Sequence, residues 1–217
     1  MRLATFSCSS ATTYLTMPKY LGTGLPTPAK SYAIDWVPIL SQDVGNVASV
    51  TFADGTDGVV MDSTFDEYKW EFVDIHPHTD SAGFQFQVNA AGGSGFNETF
   101  TSAATNAYHG EDDTYVSFAY SGSYDQDQDA GYQYIQGANS GSDTNQSSGG
   151  VLHIFAPSNT THVKQFMSWN HHDEYDQYSS IMYIGGYINT TSAIDEINLR
   201  FHTGNITGII TMYGLAK

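Results

Sequence analysis

The stretch Tyr68-Lys69-Trp70-Glu71-Phe72-Val73-Asp74 decides the fold. Its even positions are aromatic, and the residues between them, Lys69 and Glu71, are charged. Successive side chains of a strand point to opposite faces, so this period of two sends Tyr68, Trp70 and Phe72 to a core and the charges to water. Phe84-Gln85-Phe86-Gln87-Val88-Asn89 repeats the pattern and predicts a second strand with Gln85, Gln87 and Asn89 on the wet side. Outward from these two, short stretches rich in Val, Ile, Phe, Tyr and Thr recur at 37–40, 47–52, 114–120, 151–155, 163–169, 181–188, 197–202 and 209–213, with Gly, Asn, Asp and Pro between them. No segment sustains the helical spacing of apolar residues with capping signals, and 103–109 is too short and too rich in Thr and Asn to be a helix. About ten short strands punctuated by turn residues predict an all-β protein, an antiparallel β-sandwich of jelly-roll type.

Composition narrows the function. The chain has 217 residues, a length ordinary for one β-sandwich domain. Seven Lys and Arg stand against 23 Asp and Glu, for a net charge of −16. That balance argues against nucleic acid as a partner, because gripping a phosphate backbone takes clustered bases. A single cysteine, Cys8, excludes an internal disulfide and a Cys-rich zinc site. No apolar run approaches the roughly 20 residues of a membrane helix, and Thr5, Ser7, Ser9 and Ser10 interrupt any secretory leader. No membrane insertion is expected.

The charges are unevenly placed. Residues 1–34 hold Arg2, Lys19 and Lys30 and no acid, leaving four bases against all 23 acids for the remainder. With Pro18, Pro26, Pro28 and the run Gly22-Thr23-Gly24, residues 1–35 read as an extended N-terminal arm or linker, and 36–217 as the sandwich domain. Arg2, Lys19 and Lys30 are the candidate attachment residues, suited to an acidic neighbour such as another copy of the body. Ser121–Asp129 and Gly137–Gly150 lack apolar periodicity and read as exposed loops.

Several constellations could carry chemistry. Asp125, Asp127 and Asp129 alternate as calcium ligands can, but Ala130 stands where a calcium loop needs Gly, so a solvated acidic loop is the preferred reading. His76-Pro77-His78 and His171-His172 could ligate a metal, yet neither forms a recognised ligand set. Trp169, His171, His172, Tyr175 and Tyr178 form a candidate glycan contact: aromatic faces stack on sugar C–H groups while polar atoms take the hydroxyls. No G-x-S-x-G elbow occurs, and Cys8 falls in the arm. These readings predict no catalytic residues, no cofactor and no metal.

The ending Gly204-Asn205-Ile206-Thr207-Gly208-Ile209-Ile210-Thr211-Met212-Tyr213-Gly214-Leu215, with Gly186–Asp195 and Phe65–Phe72 upstream, resembles virion structural proteins, of tail-fibre and capsid-surface type, from marine tailed bacteriophages. The likeness spans roughly residues 36–217. It implies a compact β-module located in the virion, other virion proteins as partners, and a homo-oligomer, with a trimer favoured. The function expected is that of a non-enzymatic structural component of the particle. A receptor-recognition module that binds a host-surface glycan is the alternative, and a glycan depolymerase ranks below it.

Overall fold

A computed structural model describes residues 35–216. The segment assigned above to an attachment arm, including Arg2, Lys19 and Lys30, lies outside the described residues. From Trp36 onward the chain forms strands and turns, with no helix among the described residues.

In chain order the strands are β1 (Trp36–Val47), β2 (Val50–Ala53), β3 (Glu67–Pro77), β4 (Phe84–Ala90), β5 (Phe100–Gly110), β6 (Val116–Tyr120) and β7 (Asp127–Asp129). They continue as β8 (Gln133–Tyr134), β9 (Ser148–Phe155), β10 (Lys164–Asp173), β11 (Tyr178–Ile188), β12 (Ile194–Phe201) and β13 (Ile206–Leu215). One sheet has nine strands, in the order β1-β13-β3-β9-β10-β11-β5-β6, with β7 also pairing β5. The other has four, β2-β12-β4-β8. Every pairing is antiparallel, and the chain enters and leaves the smaller sheet at each of β2, β4, β8 and β12.

The period-two segments do what their chemistry requires. Tyr68, Trp70 and Phe72 are all buried, and Lys69 and Glu71 pair with each other at 2.6 Å on the other face of β3. Rings lock the two sheets together across the core. Phe52 of β2 meets Trp70 edge-on at 6.4 Å, and Phe84 of β4 meets Phe72 at 5.2 Å. Phe86 of β4 meets both Phe100 of β5 and Phe166 of β10 at 5.3 Å, while those two lie 5.7 Å apart. Such edge-to-face contacts each add about 0.5–1.5 kcal/mol beyond the burial of the rings themselves.

Midway along β3 the ladders to both neighbours shift, between Phe72 and Ile75 toward β9 and opposite Thr207–Ile209 toward β13. Asp74 takes a left-handed φ of 51°, and Gly208 across from it has φ 141°. A Cβ on Gly208 would stand 2.6 Å from the Asp74 carbonyl oxygen, so only glycine fits the paired bulge.

Two expectations are corrected. β4 is buried on both sides: Gln85, Gln87 and Asn89 are not in water, and Gln87 lies against the segment that follows β7. Gln87 Nε2 donates to the carbonyls of Glu98 and Gly131, both at 2.9 Å, and Arg200 of β12 lies under the Tyr132 ring at 3.6 Å. Nor is 137–150 a simple exposed loop, since Gly137, Ser140, Gly141 and Ser148 are buried. The reason is the inequality of the sheets. Four strands cannot cover nine, so part of the inner face of β10, β11 and β5 overhangs and is roofed by residues 135–147. Asn170 Nδ2 donates to Ile135 O at 2.9 Å, Tyr175 N to Asn139 O at 2.9 Å, and Gly141 N to Asp173 O at 3.1 Å.

Candidate functional site

The five residues proposed as one aromatic platform are split by the alternation of β10. Trp169 and His171 point outward; Trp169 is half exposed, and His171 Nε2 lies 2.9 Å from Ser179 Oγ. His172 points inward and is fully buried, which removes it from any surface contact. Tyr175 is exposed in the β10–β11 turn, and Tyr178 lies on the inner face of β11. No common surface joins the five.

Two surfaces take their place. The first is the outer face of the nine-stranded sheet. The register aligns Thr105, Tyr183, Trp169 and Val151 in one row across β5, β11, β10 and β9, with Ala103, Gly185, Met167 and His153 in the next. Small Ala103 and Gly185 leave a depression between the bulkier neighbours. The result is an apolar groove of about 520 Å³ walled by Trp169, Tyr183, Met167 and Phe155. His153 Nδ1 pairs with Glu67 Oε1 at 2.6 Å on its rim. Met167 is 60% exposed and Phe118, on the edge strand β6, is 74% exposed. Strands β9, β10, β11, β5 and β6, adjacent in the sheet, contain one carboxylate, Asp173, of the 23 in the chain. On an acidic protein this is a field poor in charge, with Glu67 at its rim.

The second surface is a cleft of about 450 Å³ at the end of the overhang, on the opposite face of the same sheet. Tyr108 of β5 stacks on Tyr115 with centroids 5.4 Å apart and planes at 25°, and Tyr178 stands edge-on to Tyr108 at 5.8 Å. Asn139 comes from the roof, Tyr124 from the β6–β7 connection, and Glu174 and Asp176 from the β10–β11 turn. Glu174 is almost fully buried. Ser180 Oγ donates to its Oε1, and Asn139 Nδ2 to its Oε2 at 3.4 Å. Burial, with the Asp176 charge adding, raises its pKa above the usual carboxylate range against the pull of those two bonds. Behind it, His172 has no hydrogen-bond partner at either ring nitrogen, and burial with the neighbouring His171 pushes its pKa down to about 3.

The remaining candidates are occupied locally. His76 Nδ1 lies 2.8 Å from Gln146 O and His78 Nε2 lies 2.7 Å from Thr207 Oγ1. Asp125 accepts from the Tyr120 hydroxyl, and Asp129 caps Gly131 N at 3.0 Å. Among the described residues no group of three or more His, Cys, Asp or Glu is placed to hold a metal ion. Tyr108 and Tyr115 escaped the sequence reading as site residues because β5 itself was not foreseen. Once 100–110 is a strand, the alternation of Ala104, Asn106 and Tyr108 puts that tyrosine on the inner face.

No family model matches the chain, and neither a curated protein nor a solved structure matches it.

Proposed function

We propose that the chain is a non-enzymatic structural component of a bacteriophage virion, a jelly-roll module that self-associates and is fastened to the particle by residues 1–35. Strand orders β1-β13-β3-β9 and β2-β12-β4-β8 support the jelly roll. They follow two interlocked Greek keys, with β10, β11, β5 and β6 widening the first sheet. The phage setting rests on the resemblance of residues 36–217 given above.

One observation carries the self-association: an apolar, aromatic face nearly free of carboxylates on a protein of net charge −16. A contiguous exposed apolar patch marks an interaction surface. A second copy of this chain is the occupant it fits. Two acidic bodies repel, and they meet at least cost where each carries the least charge. Cyclic symmetry then buries the same field on each copy, and a trimer is the arrangement favoured for a fibre.

The intact mass of the oligomer tests this. Wild-type protein is expected above monomer mass, and Trp169→Asp with Tyr183→Lys is expected to give a folded monomer. A wild-type monomer at micromolar concentration overturns the reading. Deleting the first 30 residues is expected to leave assembly of the body intact and to abolish incorporation into particles; normal incorporation overturns the role of the arm.

A further inference from the structure

We propose that the tyrosine cleft at the overhang is a binding site for a neutral pyranose sugar. The site exists because the smaller sheet stops short. Where strands would otherwise bury Tyr108 and Tyr178, the roof of residues 135–147 leaves a concavity with aromatic walls and a polar base. A pyranose presents C–H groups on its faces and hydroxyls around its edge. The Tyr108–Tyr115 stack and the perpendicular Tyr178 ring supply flat apolar walls for the first. Glu174, Asp176, Asn106 and Asn139 supply acceptors and donors for the second. A largely preformed concavity with a few convergent polar groups is the general form of a small-ligand site.

The walls also select. No Lys, Arg or His lines the cleft, while two carboxylates do. An acidic sugar would bring a third negative charge into a partly desolvated space without a counter-ion, at a cost that a neutral sugar avoids. The side chains that shape the base are fixed from behind. Ser180 and Asn139 hold the Glu174 carboxylate, and Gln146 Nε2 donates to the Glu174 carbonyl at 3.0 Å. Because the cleft and the apolar groove lie on opposite faces of the nine-stranded sheet, sugar binding does not depend on self-association and does not compete with it.

Saturation-transfer NMR on the full chain, with the methyl glycosides of glucose, galactose, mannose and N-acetylglucosamine as separate probes, tests the site. Transfer from tyrosine ring protons to the ring C–H protons of at least one of these is expected, with none to glucuronate. Tyr115 is half exposed and can be removed without opening a core cavity. Tyr115→Ala is expected to weaken the binding about tenfold. Tyr178→Phe, which keeps the ring, is expected to retain it, and so is Trp169→Ala on the opposite face. Absence of transfer to all four neutral glycosides overturns the proposal. So does binding of choline or glucuronate in their place, or a loss caused by Trp169→Ala and not by Tyr115→Ala.

Discussion

His172 Nε2 lies 3.8 Å from Glu174 Oε1, the imidazole fully buried and the carboxyl almost so. At that separation the two do not share a hydrogen bond, and the imidazole stays neutral because desolvation opposes its charge. In the unfolded chain a histidine titrates near 6.5, whereas folded His172 titrates at about 3. Between those values the unfolded state holds a proton that the native state refuses. The stability linked to His172 is therefore complete above about pH 6.5 and is lost as pH falls toward 3. Glu174 acts in the opposite direction, since its raised pKa makes the native state the better proton binder, and its contribution is lost as pH rises. Denaturant unfolding followed by tryptophan fluorescence is expected to show wild-type stability declining from about pH 6 to about pH 4 by on the order of 1 kcal/mol per pH unit. His172→Gln flattens that decline; equal slopes for the two proteins would refute the assignment.

The core prediction concerns the ring triangle of Phe86, Phe100 and Phe166. Phe166→Ala removes one corner from a site with essentially no exposure and is expected to cost about 3–5 kcal/mol. Phe166→Leu keeps most of the volume and costs less. Urea midpoints of the two variants rank them directly.

How much of this was legible in the sequence depends on the distance over which each signal acts. Tyr68, Trp70 and Phe72 declare their face by local alternation, and that face is the core. Gln85, Gln87 and Asn89 alternate just as cleanly, yet they are buried, because what covers them is distant in the chain, as the segment against Gln87 some 40 residues downstream is, and leaves no mark on the local pattern. β5 was hidden for a related reason. Its inward residues include small Ala104 and polar Ser102 and Asn106, since they face the roof as well as the small sheet. His171 and His172 are neighbours with opposite fates, which a strand over 164–173 dictates but which two adjacent histidines do not announce.

Gln87 tests the segment that covers β4. Its amide holds the carbonyls of Glu98 and Gly131, and Gln87→Leu leaves them without that donor in a part-buried setting. The expected loss is about 1–3 kcal/mol. Hydrogen exchange should rise first in residues 128–133, ahead of the strands of the large sheet.

Gly186 tests the packing of β11 on β5. A Cβ there would stand 2.3 Å from Thr101 O and 2.7 Å from Ser102 Cα, both backbone atoms that cannot swing aside. Gly186→Ala is expected to lower the melting temperature by several degrees, as overpacking costs of about 1–3 kcal/mol do in a domain of this size. Gly185→Ala, one residue earlier, meets nothing closer than 3.8 Å and serves as the tolerated control.

The unequal width of the two sheets divides the molecule into a part that must stay the same and a part that is at liberty to vary. The span between β7 and β9 pairs only through the two residues of β8 and the bridging Ser140, so its other turns can lengthen, shorten or change side chains while β9, β10, β11 and β5 keep their partners. A descendant of this chain can thus acquire a new preference at the cleft by altering one stretch of about 20 residues, with the tyrosine walls and the scaffold beneath inherited unchanged.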